Sequence, residues 1–124
     1  MDRAARPAVA RKERAPVFDL AIRSKASLYL AWIPLFRRGG LFVPTLREFS
    51  LGDPVDVLLS LLERPDKIPL RGTVAWINPA PTSGDRPQGI GVHLPDDDNS
   101  RMLKKDIEVL LGGVARSSRP TYTL

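Results

Sequence analysis

The chain has no cysteine, which removes disulfides, thiolate metal sites and cysteine nucleophiles together and makes a reducing compartment the simplest setting. It has one histidine, His93. With Ile90, Val92 and Leu94 taken as inward, His93 faces outward and reads as a solvated residue rather than a catalytic base or metal ligand. Long hydrophobic runs are also missing. The longest, Leu28 to Phe36, is too short to span a bilayer and contains Pro34. The first sixteen residues, rich in Ala, Arg and Pro, lack the apolar core that a secretory signal needs. These absences predict a soluble, cytoplasmic protein with no direct membrane insertion.

Catalytic signatures are equally scarce. There is no P-loop and no Gly-x-Gly-x-x-Gly, and no serine has a plausible base near it. Asp96-Asp97-Asp98 looks at first like a cation site, but a calcium loop needs spaced oxygens, a central glycine and a distant glutamate. Ile107 stands where that glutamate would be, so the acids are better explained as the start of a helix. We expect no enzyme activity, no cofactor and no metal.

The net charge of +5 raises the question of nucleic acid, and its location answers it. Arg3, Arg6, Arg11, Lys12 and Arg14 crowd the first sixteen residues against Asp2 and Glu13, and Arg116 and Arg119 lie near the other end. Residues 17–114 balance twelve basic side chains against twelve acidic ones. A nucleic-acid-binding barrel concentrates positive charge on its face. This pattern instead predicts a basic arm (1–16), a neutral folded domain (17–114) and a polar tail (115–124), with no nucleic-acid partner.

Within that domain, short β-rich runs alternate with turn signals. Leu28 to Ile33 reads as a strand stopped by Pro34, and Leu41 to Val43 as a second after the Arg37-Arg38-Gly39-Gly40 turn. Val55 to Leu62 is half-buried, with Asp56 and Ser60 on one parity; Leu70 to Ile77 and Gly89 to Leu94 complete the series. The period then changes. Leu103, Ile107, Leu110, Leu111 and Val114 form one helical stripe, with Asn99 or Ser100 as cap and Gly112-Gly113 as stop.

The ordered set Gly39-Gly40-Leu41-Phe42-Val43, then Gly72-Thr73-Val74-Ala75-Trp76, then Gly89-Ile90-Gly91-Val92 resembles the PilZ domain family over about residues 20–95. Glycine suits a tight turn at Gly40 and close backbone approach at Gly72, Gly89 and Gly91. The resemblance implies an all-β fold, a small antiparallel six-stranded barrel with a C-terminal α-helix. It also implies a place in cyclic di-GMP signalling. Members that bind the nucleotide carry Arg-x-x-x-Arg before the first strand and Asp/Asn-x-Ser-x-x-Gly at the strand turn. Anchored on Gly40, the second motif would place Leu35 at the acid and Arg37 at the serine; Ala15 follows Arg11 where the second arginine is due. The divergent members without these motifs include those that serve type IV pilus assembly and twitching motility. The resemblance to them implies a monomeric adaptor whose partners are the pilus-extension ATPase and an EAL-domain protein that itself holds cyclic di-GMP. Two other readings stay open: a cyclic di-GMP receptor using Arg11, Arg14, Arg37 and Arg38, and a single-stranded nucleic-acid barrel stacking bases on Tyr29, Trp32 and Trp76.

Candidate partner contacts follow from the strand reading. If Leu28, Leu30 and Trp32 face inward, Tyr29, Ala31 and Ile33 form an apolar outer row that needs a cover, either the C-terminal helix or another protein. Tyr29 and Ile33 are then docking candidates. Trp76 has inward parity but sits at a strand end, so it lies either in the interior or at the rim. Arg116 and Tyr122 belong to a tail that either orders on a partner or frays.

Overall fold

Alternation of apolar and polar residues builds most of this molecule, whose computed structural model describes residues 15–80, 86–112 and 121–123. The elements run β1 (Val17–Ile22), α1 (Lys25–Ala31), β2 (Gly40–Pro44), β3 (Pro54–Leu61), β4 (Ile68–Asn78), β5 (Gly89–His93) and α2 (Asp98–Leu111). One sheet takes all the strands in the order β1-β3-β4-β5-β2. β1 runs parallel to β3; every other pairing is antiparallel. The sheet curls into a half-barrel, and α1 lies against both of its edge strands and against α2. Among the described residues there are five strands rather than the expected six.

The missing strand is the one read over Leu28 to Ile33, which is α1 and the residues just after it. Ser24 is extended and its Oγ accepts the Ser27 N–H at 3.0 Å, capping the helix. Leu28, Tyr29, Ala31 and Trp32 are buried, a spacing that fits a helical face and not an alternating strand. Tyr29 is 9% exposed and Ile33 1%, so the outward orientation expected for both is corrected: they lie inside. Trp32 has left the helix and makes a lone antiparallel bridge to Leu41.

β1 escaped the sequence reading, although it alternates as clearly as β3. Phe18 and Leu20 are half-buried and Ile22 fully so, while Val17, Asp19 and Ala21 are exposed. β3 buries Val55, Val57, Leu59 and Leu61 on one face, as its parity predicts. β2 and β5 differ. Leu41, Phe42 and Val43, and Gly89 to Val92, are all buried, so these strands are covered on both faces. Helix α2 supplies Leu103, Ile107 and Leu111 to the same core. Its cap is Asp97, two residues before Asn99 and three before Ser100, and Gly112 ends it with φ 53°. Asp97 accepts the Ser100 N–H at 2.7 Å, while Arg101 pairs with Asp96 and Asp98. The three acids thus serve the helix start. No helix among the described residues is long and apolar enough to cross a membrane.

Two glycines are obligatory for different reasons. Gly39, not Gly40, holds the left-handed conformation (φ 80°), and a Cβ there would also strike the Trp32 indole. Gly91 is a point of convergence. A Cβ on it would lie 2.8 Å from both Ile33 Cδ1 and Trp76 Cβ. Gly91→Ala should therefore cost about 1–3 kcal/mol through overpacking. Urea denaturation measures this, and an unchanged midpoint would refute the packing described.

Two carboxylates give the fold its acid sensitivity. Arg71 grips Asp56 through two hydrogen bonds of 2.7 and 2.9 Å, and that pairing first of all holds Asp56 below its ordinary ionisation range. The Ser100 backbone N–H does the same for Asp97. Both folded values lie under the unfolded ones, so their stabilisation is complete above about pH 5 and is lost as pH falls through the acid range. The urea midpoint should be lower at pH 3 than at pH 6, and Asp56→Asn should narrow the difference. An equal difference in wild type and variant would count against the Asp56 pair.

Candidate functional site

Three side chains meet over Gly91 on β5, and together they form the candidate face. Ile33 and Phe36 arrive from the turn between α1 and β2, and Trp76 from β4. Trp76 owes its position to a bulge, because the β4–β5 register shifts between Val74 and Trp76 and leaves Ala75 as the extra residue. The tryptophan is half-buried, at the rim rather than deep within. Its Nε1 donates to Asn78 Oδ1 at 2.7 Å.

Asn78 is the residue that sequence reasoning missed. It is buried, and its Nδ2 donates both to the Pro87 carbonyl (3.1 Å) and to the Tyr122 carbonyl (2.8 Å). The Tyr122 N–H donates to the Leu30 carbonyl at 3.0 Å, and its ring meets Phe42 with centroids 5.3 Å apart. Arg86 Nη1 reaches the Thr123 carbonyl at 3.3 Å, and Thr123 is buried. One amide side chain therefore ties together a strand end, a loop and the tail. Of the residues proposed as partner contacts, the structure brings Trp76 and Tyr122 to one hub, and buries Tyr29 and Ile33 beneath the surface. Arg116 lies outside the described residues. A frayed end is not what residues 121–123 show. The signal in the sequence was the Trp-x-Asn pair at a strand end, whose polar atoms need partners once buried.

The turn carrying the would-be nucleotide motif lies beside this hub. Leu35, at the acid position, is 67% exposed, and Arg37 at the serine position is exposed too. Neither offers the acceptor oxygen of the residue it replaces. Arg38 faces the sheet: its Nε donates to the Leu94 carbonyl at 2.9 Å, and its backbone N–H donates to His93 Nε2 at 3.2 Å. An accepting Nε2 places the imidazole proton on Nδ1. Burial first, and then the Arg38 charge, push the His93 pKa down and favour this neutral form. His93 also packs on Phe36 at 5.3 Å between centroids. The outward solvated histidine expected from the sequence is instead a half-buried acceptor that fixes the turn. Arg11 and Arg14 lie outside the described residues.

Among the described residues no group of His, Asp or Glu is arranged to hold a metal ion. What the geometry offers is a surface: an exposed leucine and arginine on a hydrogen-bonded turn, a half-buried tryptophan and the docked Tyr122. Asn78→Ala removes three hydrogen bonds at once and leaves two half-buried carbonyls and the Trp76 N–H unpaired, at a cost of about 1–3 kcal/mol. Tryptophan emission should shift to longer wavelength as Trp76 and the tail come loose. Unchanged emission and stability would show that Asn78 is no hub.

A comparison with curated proteins gives no significant match. A comparison with protein-family models matches the PilZ domain over residues 15–111. That span takes in every strand and both helices of the half-barrel, so the chain belongs to the PilZ domain family.

Proposed function

We propose that this protein is a non-catalytic adaptor of type IV pilus assembly that joins the pilus-extension ATPase to an EAL-domain cyclic di-GMP receptor without binding the nucleotide itself. Family membership supports a cyclic di-GMP-signalling adaptor or receptor, a binding domain rather than an enzyme. The choice of adaptor rests on one observation. The turn that would present an acid and a serine presents an exposed Leu35 and Arg37 instead. A guanine edge or phosphate loses its hydrogen-bond partners there, whereas an exposed leucine beside a rim tryptophan suits a protein contact.

In this reading the partner surface is Leu35, Arg37 and Trp76, with Tyr122 and Arg116 contributed by the tail. Tyr29 and Ile33 support it from below. The arm of residues 1–16 and the tail of residues 115–124 flank a domain spanning 17–114 that works as one cytoplasmic, monomeric unit.

Calorimetry of the full chain with cyclic di-GMP should give no saturable heat, and micromolar or tighter binding would return the protein to the receptor class. Against the purified ATPase and the purified EAL-domain protein, Trp76→Ala and Tyr122→Ala should each weaken at least one complex about tenfold or more, the range of an aromatic hot spot. Wild-type affinity for both partners in both variants would sink the surface assignment.

A further inference from the structure

The two edges of the sheet are treated differently. β2 is blunted: Trp32 bridges Leu41, and the Ile33 N–H donates to the Gly40 carbonyl at 2.8 Å. β1 has no such cover. The Pro16 and Ile22 carbonyls accept N–H groups of Asp56 and Leu62, which turns the even-numbered backbone groups of this strand toward β3. Val17, Asp19 and Ala21 consequently turn their N–H and C=O groups the other way, and no described residue pairs with them. An unpaired edge is a template for another extended segment unless it is blocked.

The surroundings say which segment fits. At the start of β1, the Arg47 guanidinium sits 6.0 Å from the centre of the Phe18 ring and 5.5 Å from that of Phe49. Two aromatic faces thereby hold a cation in place. Arg23 and Lys25 follow the strand, and none of these three cations has an acidic partner among the described residues. Asp19, the acid on β1 itself, is engaged by Lys67 at 3.2 Å. Glu48 next to Arg47 offsets only part of this charge. Exposed Leu46, next to Arg47 in the chain, and exposed Val17 at the start of β1 supply apolar contact.

We infer that the free edge of β1 is a second docking site, which takes an extended acidic segment of another protein as an added strand. Main-chain hydrogen bonds to Val17, Asp19 and Ala21 provide the affinity, and acidic side chains meeting Arg47, Arg23 and Lys25 provide the selection. The same charge disfavours the other two occupants, since the chain's own arm is basic and a second copy would set like edges together. This site does not depend on the pilus reading.

Hydrogen exchange on the full chain tests it, with a capped peptide alternating valine and glutamate as probe and its valine–lysine counterpart as control. In the free protein the Val17, Asp19 and Ala21 amides should exchange quickly and the Phe18 and Leu20 amides slowly. The glutamate peptide should protect the first three and bind at least about tenfold more tightly than the lysine peptide, with an affinity that falls as salt rises. Ala21→Pro, which removes an outward N–H and leaves the β3 pairing intact, should abolish binding. Arg47→Glu should weaken it about fivefold, and reads the same site should the proline variant fail to fold. Protection of those amides in the free chain, whether constant (the arm) or growing with concentration (a second copy), would overturn the inference. So would equal binding of the two peptides.

Discussion

Two neighbouring strands with both faces buried set the terms for the rest of this protein. An antiparallel strand in a small sheet ordinarily gives one face to the core and the other to water. β2 and β5 do not, so a second apolar layer has to form on their far side. Ile33, Phe36, Trp76, Phe42 and Tyr122 supply it, and glycine at position 91 makes room where three of them converge. Polar groups drawn into that layer must be satisfied there, which explains why Asn78 bonds in three directions and why burial pushes the His93 pKa down. The turn and residues 121–123 cover this layer and are bonded to it through Arg38, Asn78 and the Tyr122 backbone. The surface they present is a by-product of packing.

The parts of the fold that could be read from the sequence are those with a long, unambiguous period. Helix α2 has fourteen residues, enough turns for the stripe of Leu103, Ile107 and Leu111 to separate from chance. β3 shows parity over eight residues, with Asp56 and Ser60 marking the wet face. Helix α1 has only seven residues, and its Leu-Tyr-Leu-Ala continues into Trp32 and Ile33, which favour strands. Over two turns an apolar run satisfies both periods, and the deciding feature was the Ser24 cap. Only a strand would turn Tyr29 and Ile33 outward, so the helix also removes them from the surface. β1 is hidden for a different reason: it begins right after Pro16, beside a stretch whose composition reads as an unstructured arm.

The candidate face was legible in outline. Gly-Gly before Leu41 identified the turn, and the residues at positions 35 and 37 carried the argument against nucleotide binding. The hub could not be read. Asn78, Pro87 and Tyr122 are far apart in sequence, and nothing in their local context says that a tail 44 residues away supplies a carbonyl to one asparagine. The His93–Arg38 contact has the same character, a bond across 55 positions that depends on β5 lying beside the turn.

Strand order has a kinetic consequence. Only β3 with β4 and β4 with β5 are sequence neighbours that also pair; β1 waits for β3, and β2 waits for β5. A growing chain that emerges from its amino end must therefore carry Phe18 until β3 has followed, and Phe42 until β5 has nearly completed the domain. The central hairpins are the natural nucleus, and the first third of the polypeptide condenses onto them last. Its greasy residues stay bare for longest during synthesis, so this stretch is where chaperones would bind the nascent chain.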